Sequence, residues 1–279
     1  MGVELDQLER VIIDYVDSDT FRTELRPNSR EASRNDLARF LSYIASLPEG
    51  TEVNSSVLNG FIARHREMGT SEKTLARRSS SIRNTLDHLR RTGLIDEDIT
   101  VGLDPISYSR KLVFNTPLTV DEEQKLFQEV KDKPRHSALF ATLIGTGGKV
   151  SEVLGLNTQD VVREDSSARV TFTKSVRCVV ITGDNAQRLL NYSELWESGR
   201  PIFTTAKGEA RHSEEDRLSH ENMWFILKER RGTIGRSNLC PTVLRATYVD
   251  RLRLQGTKQV ADALGINRNN ARYWLRAVV

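Results

Sequence analysis

Apolar residues recur at helical spacing along the first third of the chain. Leu8, Val11, Ile12 and Val16 share one face, and Leu37, Phe40, Leu41 and Ile44 share another, ended by Pro48-Glu49-Gly50. Ser55 to Met68 is a third amphipathic stretch. Ser71 is placed to cap a fourth, in which Ile82, Leu86 and Leu89 point inward and Gly93 is the stop. The pattern predicts a compact helical bundle over residues 1–105. From 106 to 118, Tyr108, Arg110, Lys111, Phe114 and Pro117 follow no period, which predicts an extended linker. Thr119, with Glu122 three positions on, has the capping-box pattern that opens a second domain over 119–279. There, Leu139 to Ile144 reads as an apolar helix, followed by a glycine-rich corner at 145–148 and a helix from Lys149 to Leu156. Arg169 to Thr173 and Cys178 to Thr182 flank Lys174-Ser175-Val176-Arg177 as the arms of a β-hairpin. Helices are expected around Met223 to Leu227, Val243 to Leu254 and Val260 to Leu275. The fold class is therefore mainly α with a small β-hairpin or sheet.

Composition adds the exclusions. The chain has 279 residues, 38% of them hydrophobic, enough for two cores but without the ~20-residue apolar run of a membrane helix. Its start, Met1-Gly2-Val3-Glu4-Leu5-Asp6, lacks the basic and apolar stretches of a signal peptide, so an intracellular location is expected. Cys178 and Cys240 form no CxxC pair, and the five histidines have no zinc-ligand spacing; neither a metal nor a cofactor is expected. The net charge of +3 conceals a distribution. Residues 60–91 and 245–279 each carry +5, and the remainder sums to −7. Two such patches suit a polyanion even though the overall field is weak.

The order of parts resembles the tyrosine recombinases, or phage integrase family. The resemblance runs from Ser71-Glu72-Lys73-Thr74-Leu75-Ala76-Arg77-Arg78, through Pro117-Leu118-Thr119, to Thr146-Gly147-Gly148-Lys149-Val150-Ser151-Glu152, where the family has its TGLR-x-SE motif. Thr173-Lys174, Pro201-Ile202-Phe203 and Leu244-Arg245 complete the series. It implies a helical core-binding (SAM-like) domain at 1–105 and a recombinase-like catalytic domain at 119–279, closing as a clamp on double-stranded DNA. It also implies a homodimer or higher oligomer on that DNA. The family's chemistry uses a tyrosine nucleophile, two arginines on the phosphate, and a lysine and histidines for protons, without metal or nucleotide. Fixed arginine forks suit a phosphorane-like transition state, because they bind oxygens bidentately where lysine is a point charge.

Carried onto this chain, the catalytic positions are Lys149, Lys174, Arg245 and Tyr273. Lys149 replaces the first arginine, Thr242 and Ile266 replace the two histidines, and Ala246 follows the second arginine where the family has His or Lys. Tyr273 lies seven residues beyond Ile266, whereas the family tyrosine lies about nine beyond its histidine, which turns it to another side of the helix. Thr257 to Arg276 also reads as a helix-turn-helix, with Ala261 in the first helix, Gly265 at the turn, Ala271 and Trp274 inward on the second, and Arg268, Asn269, Asn270 and Arg272 suited to base edges and phosphates. With Lys73, Thr74, Arg77, Arg78 and Arg83, these are the candidate DNA-binding residues. The residues taken singly favour a DNA-binding regulator, such as a mobile-element repressor or recombination accessory factor, that has lost strand cleavage. The alternative is an active, divergent recombinase that forms a 3′-phosphotyrosine at Tyr273, with Arg177 or His220 recruited as substitutes.

Overall fold

The computed structural model describes residues 3–24, 27–104, 106, 116–205 and 216–278. The chain forms two compact units, Met1–Arg110 and Lys111–Val279, so the division falls inside the expected linker. Tyr108, Arg110, Lys111 and Phe114 lie outside the described residues.

The first unit contains α1 (Leu5–Asp17), α2 (Asp19–Glu24), α3 (Pro27–Ile44), α4 (Ser55–Glu67) and α5 (Glu72–Arg91). Two short strands, β1 (Val3–Glu4) and β2 (Glu52–Val53), pair antiparallel; at two residues each they carry too little alternation to be read in sequence. The cap predicted at Ser71 is present, and Asn54, which the sequence pattern does not single out, caps α4. The Asn54 side chain accepts from the backbone N–H groups of Ser56 and Val57, and Ser71 Oγ accepts from that of Thr74. Leu8, Ile12, Phe40, Phe61, Leu75 and Leu89 are among the wholly buried side chains of one continuous core.

The second unit opens with α6 (Val120–Glu129), begun by the reciprocal Thr119–Glu122 capping box. There follow α7 (Pro134–Thr146), α8 (Val150–Val153), a sheet of β3 (Val161–Glu164), β4 (Ser167–Phe172) and β5 (Arg177–Ile181), then α9 (Gly183–Ser193), α10 (His220–Ile234), α11 (Pro241–Leu252), α12 (Gly256–Leu264) and α13 (Arg268–Ala277). The hairpin is β4 and β5, antiparallel, with Phe172 opposite Arg177 and a 3-10 turn at Thr173–Ser175 between them. The edge strand β3 extends it to three strands; its Val-Val-Arg-Glu run has no period of two to reveal it. The helix expected over Lys149–Leu156 is a single turn. Lys149 is its N-cap, and Gly155 ends it where a Cβ would meet the Ser151 carbonyl oxygen at 3.1 Å. Among the described residues no helix is long and apolar enough to cross a membrane.

The end of the chain packs in cis. Ala277 is wholly buried, Val278 belongs to the second core, and Trp274 and Leu275 pack against it.

Candidate functional site

The site forms where α7 ends, α8 begins and β5, α11 and α13 converge. Thr146 Oγ1 donates to the Thr142 carbonyl and accepts from the Gly148 N–H, fixing the corner. Gly147 closes α7 in the left-handed conformation (φ 57°), where a Cβ would overlap the Tyr248 ring. Glycine is thus required twice over at that point. The chain then turns into α8, and the Lys149 N–H donates to Glu152 Oε2 at 2.7 Å.

Glu152 is the centre of the cluster. Its carboxylate also accepts from Arg177 Nη2 at 3.0 Å, and both side chains are about 95% buried. Burial opposes ionisation of Glu152, but the Lys149 N–H and the Arg177 charge outweigh it and hold its carboxyl below the usual glutamate range. Arg177 reaches this position because β5 alternates: Arg177, Val179 and Ile181 face inward while Cys178 and Val180 face water. Its guanidinium stacks 4.2 Å from the Phe172 ring centroid.

Arg245, on α11, is 7% exposed. Its Nε and Nη1 have no hydrogen-bond partner among the described residues. Burial pulls its pKa down to about 10, with Glu152 opposing and Arg177 adding, so it remains a cation at neutral pH. Arg177 and Arg245 against Glu152 leave a buried cluster one positive charge in excess. Unsatisfied buried donors of this kind each cost ~1–3 kcal/mol, and an oxyanion is the group that would satisfy them.

The remaining candidates take distinct places. Lys149 and Lys174 are exposed, and Lys174 Nζ lies 3.9 Å from where a Cβ on Gly155 would stand. Thr242 is exposed and Ala246 buried, so neither places a titratable group beside Arg245; Ile266 is half-buried against the core. His220 is exposed at the first turn of α10. Tyr273 is half-buried on α13, but the next residue, Trp274, is the one over Arg245, its ring centroid 5.4 Å from the guanidinium carbon. Sequence reasoning assigned no role to Glu152 and named Arg177 only as a substitute. A charged residue at an inward strand position was the available signal.

The helix-turn-helix segment is α12, a left-handed Gly265 and α13, whose N-cap Asn267 accepts from the Asn270 N–H at 2.8 Å. Arg268, Asn269, Asn270 and Arg272 are exposed; Ala261 and Ala271 are buried. In the first unit, Lys73, Arg77 and Arg83 are exposed and Thr74 is half-buried. Arg78 differs from them. Its side chain is 12% exposed and turned onto the fully buried Asp36, which leaves little of it for an external phosphate.

Comparison with known proteins bears on this arrangement. Residues 14–93 match the family model described as "Phage integrase, N-terminal SAM-like domain". The chain is 28% identical over 258 residues to a tyrosine recombinase XerC of Roseiflexus castenholzii, covering 86% of this chain and 80% of that one. It is likewise 28% identical to XerC of Pseudomonas syringae pv. tomato, over 87% and 82% of the two chains. Among solved structures it is similar to the XerH site-specific recombinase bound to its difH substrate in a pre-cleavage complex, with TM-score 0.71, 16% identity and coverage of 98% and 82%. A lambda integrase (75–356) dimer bound to a COC′ core site gives TM-score 0.69 at 15% identity, covering 97% and 94%.

Proposed function

We propose, for a chain that belongs to the tyrosine recombinase or phage integrase family, that it is a site-specific recombinase of duplex DNA. Several protomers act together on one DNA site. The observation that carries the reading is the buried, charged Arg245, two of whose N–H groups have no partner among the described residues. In this scheme Arg245 holds the non-bridging oxygens of the scissile phosphate, and Lys149 and Lys174 add charge from the rim. Tyr273 Oη gives up its proton to solvent and attacks phosphorus; the bond to the 5′ oxygen breaks as that oxygen takes a proton from Lys174 and leaves as a hydroxyl, and Lys174 is reprotonated from solvent. The product is a 3′-phosphotyrosine. Lys73, Thr74, Arg77 and Arg83 position the backbone, while Arg268, Asn269, Asn270 and Arg272 read the site.

A second reading, sequence-specific binding without cleavage, is favoured by one contact: Trp274 rather than Tyr273 covers Arg245. It also fits the lack of imidazole at Thr242 and Ile266, since losing a proton-transfer group costs ~10²–10⁴ in rate. One experiment separates the two. Duplexes are selected from a random pool by binding, and the winner is remade with a nick that traps cleaved product. A covalent adduct that disappears in Tyr273→Phe is the expected outcome. Specific, salt-dependent binding with no adduct makes the chain a regulator instead, and binding insensitive to salt removes DNA from both readings.

A further inference from the structure

One buried side chain, Arg177, joins three of the elements around Arg245. The Arg177 guanidinium donates to the Thr146 carbonyl at the end of α7, to Glu152 on α8, and to the Ala263 carbonyl near the end of α12. Two of these acceptors are helix C-terminal carbonyls, where a cation is favoured by the aligned peptide dipoles. Its stem fills the turn between α12 and α13: a Cβ on Gly265 would stand 2.9 Å from Arg177 Cδ, so this left-handed glycine (φ 60°) is also demanded by the arginine. Beyond that turn, α13 carries Tyr273 and Trp274.

We infer that Arg177 is a positioning residue that clamps the Lys149 corner on one side and the α12–α13 turn on the other, setting where α13 lies over Arg245. The three acceptors sit in separate elements, at sequence separations of 31, 25 and 86 residues from Arg177. A lysine at this position keeps the charge but has no planar fork to serve three acceptors in three directions. The role rests on Arg245 being the phosphate-binding group, although the clamp is measurable without any cleavage.

Trp274 provides the readout. The chain has three tryptophans, so replacing Trp196 and Trp224 with Phe leaves Trp274 as the sole reporter in the full-length protein. In that background Arg177→Lys and Arg177→Met are expected to raise acrylamide quenching of Trp274 by about twofold, as a locally opened helix does. Hydrogen exchange should quicken over 256–278 and stay at the parent rate over α9. If the parent forms the covalent adduct, both variants should slow it by about 10², the effect of an ångström-scale misplacement, with the binding of duplex unchanged. A parent without adduct defeats the recombinase reading and leaves the clamp to be judged by quenching and exchange alone. Quenching and exchange at parental values in Arg177→Lys overturn the proposal, because charge alone would then suffice. Faster exchange across α9 as well as α12–α13 overturns it too, since Arg177 would then be only a general stabiliser. Should Arg177→Met fail to fold, Arg177→Lys, which retains stem and charge, decides the matter.

Discussion

In the first unit Arg77, Arg78, Arg90 and Arg91 of α5 face carboxylates of the same unit, whereas in the second Arg245 of α11 is buried near another arginine, Arg177. Asp36, wholly buried, is paired with Arg77 and lies 3.6 Å from Arg78; Arg66 is forked onto Glu72, and Arg90 and Arg91 reach Asp87. The surface pairs are worth ~0–1 kcal/mol each, so an arriving phosphate exchanges them at small loss. Arg245 has no such exchange to make. The carboxylate that acts on it, Glu152, is already bound by Arg177 and the Lys149 N–H, and two of the Arg245 donors have no partner among the described residues. Arginines from segments of identical net charge therefore do different things: Arg90 and Arg91 have surface partners that can be replaced, whereas Arg245 is an internal cation whose donors an entering anion would match.

Replacement of Arg245 should break this contrast most sharply. Arg245→Met is expected to lower adduct formation by about 10³, the scale of losing a preorganised oxyanion donor, while raising the denaturation midpoint by the equivalent of about 1–2 kcal/mol. Opposite signs for activity and stability are the signature of a site held unsatisfied for function. A variant that loses stability would show instead that the guanidinium is already matched within the fold.

The same operation in the first unit should go the other way. Asp36→Ala strands Arg78 with 12% of its side chain exposed and is expected to destabilise the full chain by about 2–3 kcal/mol in urea unfolding. Arg77, half in water, is left free to resolvate. The double variant Asp36→Leu with Arg78→Met should recover most of the loss, since a buried ion pair can be replaced by apolar packing. If Asp36→Ala unfolds at the parental urea concentration, the pair is not what fixes α3 against α5.

What could be read beforehand follows from how local each cause is. The helices, the Ser71 and Thr119 caps and the β4–β5 hairpin depend on neighbours within a few residues, and the local sequence pattern shows them. Lys149, Lys174, Arg245 and Tyr273 could be named because a family resemblance marks their positions. Whether Tyr273 or Trp274 faces Arg245 could not, because two adjacent residues on a helix differ by ~100° and only the docking of α13 decides between them. The Arg177–Ala263 bond and the Asp36–Arg77 pair join residues 86 and 41 positions apart, and nothing local announces either. Arg78 was misleading for the same reason: its position in the basic stretch is local, but its burial is set by α3.

A third arginine group lies between the two extremes and gives the smallest expected effect. Arg230 is 1% exposed; it pairs with the Glu229 carboxylate at 2.6 Å and also donates to Nδ1 of His136 at 3.1 Å, so a neutral acceptor shares it with an anion. Burial, then Arg230, Arg135 and Lys133, bring the His136 pKa down to about 4, against the weaker pull of Glu229. An unfolded chain protonates this imidazole near its ordinary 6.5 and the folded one only near 4. Between those values unfolding takes up a proton, so stability is full at neutral pH and falls as pH drops from about 6.5 towards 4. His65 is also held low, chiefly by burial and then by Arg78, so it contributes loss with the same sign in the first unit. Glu152 loses its stabilising effect only as pH falls below its ordinary value of 4.5, which leaves the range from 7 to 5 to the histidines. His136→Gln keeps an acceptor for Arg230 but cannot titrate. It is expected to reduce the fall in urea midpoint between pH 7 and pH 5, and His65→Gln to remove the remainder. An unchanged pH dependence in His136→Gln would mean that Arg230, held by Glu229, tolerates a protonated imidazole beside it.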